Sequence, residues 1–329
     1  MRRRNFVAMS GGVAVTWPLA AAGQQREKPR VIAVVLGDGS VADFSPPKPI
    51  YAGTRAFLHR LRDLGWIEGR NLIIERRSAE NRPERAPAIF AELVSAGVEV
   101  IWLSGEEWLI RAALRTTSTV PLVAYFFGRE DPAALGLVAT LARPGGNLTG
   151  VVRRTGIPRK RFEYLLELAP RTTRIGYLGT NLQVQHLPPD VVPAGTRLVP
   201  AVAETLDEFD QAFALILRER CDAMLVTGVF VHFINRSRII AFAAQQGLPA
   251  SYGAREAVHD GGLMSFGSDN VDDNKQFAEL IDSILRGARP ADLPIRQADR
   301  FELVINRRTA DSLGLTIPPS LEVAAEVVE

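Results

Sequence analysis

Arg30-Val31-Ile32-Ala33-Val34-Val35-Leu36 is an apolar run behind a single arginine, and it ends on Gly37-Asp38-Gly39-Ser40. A run this short, without alternation, reads as a strand buried on both faces, as in parallel sheets. The segments downstream of it decide the class. Tyr51 to Leu64 carries Phe57, Leu58, Leu61 and Leu64 at helical spacing, and Asn71 to Glu75 is again strand-like. The alternation continues with a helix over Pro83–Ala96, a strand over Val98–Leu103, a helix over Glu107–Thr117 and strands at Pro121–Tyr125 and Asn147–Val152. Strands spaced by helices form βαβ units and parallel sheets with right-handed crossovers.

The rhythm then starts again. Helices are predicted over Arg159–Leu168, Leu206–Arg218, Asn235–Gln246 and Asp272–Leu285, with strands at Arg174–Leu178, Asp222–Val226, Leu248–Ser251 and Gly262–Phe266. The tail reads as a strand over Phe301–Asn306, a helix near Thr309–Leu313 and a stop at Pro318-Pro319. Two such series in a chain of 329 residues suit two α/β lobes facing each other.

The first residues address the chain outward. Arg2, Arg3 and Arg4, an apolar stretch to Ala22 and then Gly23 have the layout of a cleaved export signal, residues 1–23, of twin-arginine style. The apolar stretch is broken by Gly11, Gly12 and Pro18 and falls short of the roughly 20 residues of a spanning helix. No cysteine stands at the cleavage site, so a freely soluble periplasmic protein is expected. The chain holds 39 Lys+Arg against 37 Asp+Glu; without the three signal arginines the balance is 36 to 37. Such neutrality gives no electrostatic case for nucleic acid or an anionic membrane. Cys221 is the only cysteine, so no internal disulfide forms and a metal site of paired cysteines is excluded.

Motifs of chemistry are mostly declined. Gly37-Asp38-Gly39-Ser40-Val41-Ala42 matches a dinucleotide fingerprint, but Pro46, Pro47 and Pro49 replace the helix that must come after it. No cofactor is expected. His59, His186, His232 and His259 are scattered; His232, just after a strand, lines a cleft or, as the favoured reading, is a satisfied loop residue. Ligands of open α/β sheets sit outside the C-terminal strand ends. The polar and aromatic residues there are Asp38, Ser40, Ser104, Glu106, Trp108, Tyr125 and Phe126 in the first series. In the second they are Thr180, Thr227, Tyr252, Arg255, Ser265 and Asp269. Trp108 and Phe126 are placed to stack on a flat ligand or to pack under loops, and Ser104 to meet a carboxylate.

Several stretches together carry a resemblance. They are Leu64-Gly65-Trp66-Ile67-Glu68-Gly69-Arg70-Asn71-Leu72, Ala142-Arg143-Pro144-Gly145-Gly146-Asn147-Leu148-Thr149-Gly150-Val151, Gly261-Gly262-Leu263-Met264-Ser265-Phe266-Gly267, and Phe301 to Asn306 with Leu313-Gly314-Leu315-Thr316-Ile317-Pro318-Pro319 after it. In them the chain resembles the ABC transporter substrate-binding protein family that includes tryptophan/tyrosine-type uptake components. The resemblance implies a type I periplasmic binding protein fold, α/β, with two Rossmann-like lobes of parallel sheet joined by a hinge. It implies an N-terminal lobe of residues 30–150 plus about 270–300 and a C-terminal lobe of 151–269 plus about 301–329. It further implies a small-molecule ligand, an amino acid or aromatic acid, held between lobes that close over it. It implies as well that an ABC permease reads the closed form and that the protein works as a monomer without catalysis. A sensory ligand-binding module and an exported enzyme using the same cleft are the alternatives.

Two departures bear on the site. Thr180 to Gly195 is short and broken by Pro188, Pro189 and Pro193, where the family has a long helix, so one face of the second sheet is expected to be thinly covered. Glu106-Glu107-Trp108 replaces a small polar turn.

Overall fold

The computed structural model describes residues 28–47, 49, 51–105, 107–128, 131–154, 159–185, 187, 191–298 and 300–329. The export signal at 1–23 and Glu106 lie outside the described residues.

The chain begins with β1 (Arg30–Leu36), α1 (Ala52–Asp63), β2 (Leu72–Ser78), α2 (Ala86–Ser95), β3 (Val100–Gly105), α3 (Glu107–Thr116), β4 (Leu122–Gly128) and β5 (Leu148–Arg154). Next come α4 (Arg159–Leu168), β6 (Arg174–Gly179), α5 (Asn181–Gln185), β7 (Arg197–Val202), α6 (Phe209–Arg218), β8 (Ala223–Val226), α7 (Phe230–Ile234), α8 (Arg236–Gln245), β9 (Ala250–Tyr252), α9 (Arg255–His259) and β10 (Met264–Ser268). It ends with α10 (Asn270–Leu285), β11 (Arg296–Gln297), β12 (Phe301–Asn306), α11 (Arg307–Ser312), α12 (Pro319–Ala324) and β13 (Glu326–Val328).

These strands make two sheets. The first runs β11-β5-β4-β3-β1-β2 and is parallel throughout. The second runs β13-β12-β10-β9-β8-β6-β7, with β12 antiparallel to β10 and the other pairs parallel. Side chains alternate across the first sheet as the period of 2 requires. Ala33, Val35, Ile101 and Leu103 bury against α2 and α3 through Phe90, Leu93, Leu109 and Ile110. Val34, Leu36, Trp102 and Tyr125 bury on the other face against Phe57 of α1 and Phe277 and Ile281 of α10. Helix α10 comes after a strand of the second sheet yet completes the core of the first. The chain therefore passes between the sheets after β5, after β10 and again between β11 and β12. Asp269 N donates to Arg300 O at 3.0 Å, which ties the last two passes together.

The short crossover after β6 does cover its sheet. Val184, Leu187, Val191 and Val192 pack on the core that contains Phe162, Tyr177 and Phe266. A few apolar anchors substitute for the longer helix.

Candidate functional site

The C-terminal strand ends of the two sheets face each other. On the first side the loop after β1 carries Asp38 and Gly39 and then a 3-10 turn, Val41–Phe44. Gly39 sits at φ +78°, and a Cβ there would lie 2.8 Å from the Phe230 ring of the second side. Only glycine meets both demands. On the second side the loops after β8 and β9 touch through backbone, since a Cβ on Gly253 would fall 2.3 Å from Gly228 N. That approach seats α7. Its Phe233 stacks on Tyr51, the residue before α1, with ring centroids 4.3 Å apart and planes at 19°. Phe44 and Phe230 flank the same Tyr51 ring at 5.2 and 6.0 Å. The Arg236 guanidinium lies 4.6 Å from the Phe233 centroid and pairs with Asp260 at 2.7 Å.

Beside these rings, where the chain passes from β10 to α10, a narrow space opens to solvent. Arg255, Glu256, Ser265, Ser268, Asn270 and Glu302 line it with Gly253 and Ala52. Arg255 binds Glu302 at 2.5 Å and both carboxylate oxygens of Glu326 at 2.8 Å. Burial raises the Glu302 carboxyl above its ordinary value; the neighbouring Asp269 charge adds to this and Arg255 opposes it. Burial also raises Asp38, against a backbone hydrogen bond that lowers it. The Tyr51 phenol is pushed up by burial first, then by Asp38, Asp43 and Glu256, with Arg236 opposing. The mouth of the cleft therefore carries more negative than positive charge around its rings.

The residues named from the sequence fall into three groups. Asp38, Arg255 and Ser265 stand at the cleft. A second group supports it. Ser40 Oγ accepts from Ala42 N at 3.2 Å and caps the 3-10 turn. Ser104 Oγ accepts from Gly37 N at 3.0 Å and fixes the end of β1. Thr180 caps α5, and Asp269 Oδ1 caps α10 by accepting from Val271 N and Asp272 N at 2.9 and 3.0 Å. The third group lies in the cores, Trp108 only partly buried. Phe126 lies in the core on the α2–α3 side, and Trp108 packs against it. Tyr125 donates to Asp273 and packs edge-on to Phe277. Tyr252 is buried in the second core, which raises its phenol. Thr227 bonds His232 Nδ1 at 2.7 Å, and His232 Nε2 donates to Ala203 O at 2.9 Å.

That pair fixes the tautomer. A carbonyl only accepts, so Nε2 carries the hydrogen, Nδ1 accepts, and the Thr227 hydroxyl donates. Burial depresses the imidazole to about 4 despite both hydrogen bonds, so it is neutral at pH 7. Cys221 is buried, and its thiol is pushed up to about 11 by burial and then by Asp222 and Glu219, the reverse of an activated nucleophile. Among the described residues no group of three or more His, Cys, Asp or Glu is arranged to hold a metal.

Sequence reasoning missed Tyr51, Phe44, Phe230, Phe233, Arg236 and Glu256. Tyr51 lies inside the predicted first helix as one more apolar position. Phe230 to Phe233 follow the eighth strand where the sequence suggested a loop, and the structure makes them α7. The one usable signal was Gly228 after the eighth strand, which marks a close approach but names no partner.

A two-lobed α/β protein with aromatic and charged groups meeting between its lobes belongs to the class that holds small ligands in an interlobe cleft. Residues 47–329 match the model of the ABC transporter substrate binding protein family, and the chain belongs to that family. A tyrosine-binding protein of Clostridioides difficile is 24% identical over 275 residues, covering 79% of this chain and 76% of that protein. A conserved domain protein from Vibrio cholerae superposes with a TM-score of 0.75 at 25% identity, over 92% of this chain and 100% of that one. An ABC domain from Streptococcus pneumoniae in complex with L-Trp gives 0.74 at 22%, again over 92% and 100%. The architecture is the type I periplasmic binding protein fold.

Proposed function

We propose that this protein captures an amino acid with an aromatic side chain between its lobes and hands it to an ABC permease, leaving every covalent bond intact. The observation that carries the reading is the meeting of Tyr51 with Phe233 across the cleft, next to a space lined by both a cation and carboxylates. An α-amino acid needs an anion for its ammonium and donors for its carboxylate. Glu256 and Asp38 suit the first; Ser265 and Ser268 suit the second, beside an Arg255 that already pairs with Glu302 and Glu326. The names of the similar proteins from Clostridioides difficile and Streptococcus pneumoniae point the same way. The lobes are residues 30–150 with about 270–300, and 151–269 with about 301–329. Ligand touching both stabilises the closed arrangement and shifts the population toward it. We further infer export by the residue 1–23 signal, work in the periplasm and action as a monomer.

The test is a thermal-shift panel of the proteinogenic amino acids, with calorimetric titration of the hits. At 100 times Kd, binding to the native state adds about 2.7 kcal/mol, so L-Trp or L-Tyr should raise Tm by several degrees. No shift with any amino acid or aromatic acid refutes the reading.

A further inference from the structure

One of the rings that meet between the lobes, Tyr51, reaches across from the first side to two rings of the second. Tyr51 stands at the N-cap of α1 and makes no capping hydrogen bond with its side chain. What holds its ring is Phe44 on the first lobe and Phe230 and Phe233 of α7 on the second. Contacts of this kind depend on the flat face and polar edge of the ring and not on which chain it belongs to, so another aromatic ring of similar size satisfies them equally. Asp38 next to Gly39, Asp43 next to Phe44 and Glu256 in the lining of the adjacent space act on the phenol by charge, with Arg236 opposing them. Arg236 is itself committed to Asp260 and to the face of Phe233. A ring edge that donates a hydrogen bond is favoured beside those carboxylates; a negatively charged edge is repelled.

We propose that the slot between Phe44, Phe230 and Phe233 is the subsite for the ligand's ring, that Tyr51 is its resident occupant and is expelled on binding, and that the ring admitted is uncharged with a donor at its far edge. This rests on the reading of the protein as a binder of aromatic amino acids and adds which ring position is used, what competes for it and which ring chemistry is refused. A competing resident lowers apparent affinity by the fraction of molecules whose slot is open. Tyr51 is therefore a specificity-determining residue that works by being displaced.

The experiment is calorimetric titration of the wild type and Tyr51→Ala with L-Tyr, L-Trp, L-Leu and 4-carboxy-L-phenylalanine. Tyr51→Ala should bind L-Tyr and L-Trp about tenfold more tightly or better, with L-Leu unchanged. Both proteins should bind 4-carboxy-L-phenylalanine about tenfold more weakly than L-Tyr, or worse, as a buried like-charge contact requires. Equal or weaker binding of the aromatic ligands by Tyr51→Ala overturns the proposal, as does an equal gain for L-Leu or parity of the carboxylated ring with L-Tyr. If no amino acid binds either protein, the functional reading fails, and phenol decides the slot separately. An engineered apolar hole takes up a ring of matching size. Saturable phenol binding to Tyr51→Ala and not to the wild type supports the slot, and its absence overturns it. Circular dichroism checks the fold, and Tyr51→Leu, apolar but ringless, carries the same test should the alanine variant misfold.

Discussion

At the scale of single residues, His232 is the group whose charge state is most constrained. It is 1% exposed and resists protonation down to about pH 4, whereas in the unfolded chain it titrates near 6.5. The unfolded state thus takes up a proton first as pH falls. The stability that neutral His232 contributes is complete above about pH 6.5 and is lost as pH drops toward 4, by about 3 kcal/mol at the end of that window. Glu302 and Asp38, raised in the fold, act with the opposite sign, so the total slope is a sum. Urea unfolding of the wild type and His232→Gln between pH 4 and 7 isolates the histidine, since only the wild type carries its share of the slope. Parallel curves would refute the assignment. Gly39 makes a second prediction. At φ +78° and with 2.8 Å to the Phe230 ring, Gly39→Ala carries both strain and a clash. It should cost about 1–2 kcal/mol and push the lobes apart, which small-angle scattering reads as a larger radius of gyration. The sequence drew attention to Asp38, Arg255 and Ser265 because strand ends locate a cleft in any open α/β sheet. It hid Tyr51 and Phe233 because their contact joins residues that no local pattern connects.

At the scale of elements, legibility tracked length and monotony. Strands β1, β3, β4 and β6 are apolar runs buried on both faces, and helices α1, α6 and α10 repeat their apolar positions at helical spacing, so each was evident. Strand β7 was not, because Arg197-Leu198-Val199-Pro200-Ala201-Val202 carries a proline and mixed burial at the sheet edge. β13 has three residues and α7 five, too few for any period to show. Helix α10 was legible as a helix, whereas its partner sheet was placed only by resemblance. The bond that seats it is specific. Tyr125, 5% exposed on β4, donates to Asp273, 2% exposed in the first turn of α10. Tyr125→Phe keeps the ring against Phe277 and removes that donor from a buried carboxylate. It should cost about 1–3 kcal/mol in urea unfolding, and amide exchange should quicken in α10 more than in α2. Uniform exchange across both helices would mean that the bond does not hold the element.

At the scale of the whole molecule, the cores stay apart. The two hydrophobic clusters of the first sheet draw on β1–β5, α1–α3, α10 and the segment around β11. The two of the second draw on residues from α4 to β10 and from β12 onward. No cluster among the described residues spans both. Among the described residues the lobes meet through the Tyr51, Phe230 and Phe233 rings and the approach of Gly39 to Phe230, besides the three chain passes. The same separation governs unfolding. Each lobe should melt as its own cooperative unit when the cleft holds only its resident ring, giving a calorimetric enthalpy larger than the van't Hoff value. Saturating ligand touches both lobes, stabilises only the pair and should draw the ratio toward one. The interleaved chain does not prevent this, because α10 contributes its apolar face to the first core whether or not the second is folded. A single two-state transition without ligand would show that the passes couple the lobes more strongly than their cores predict, and hinge closure as the working motion would then need another source of compliance.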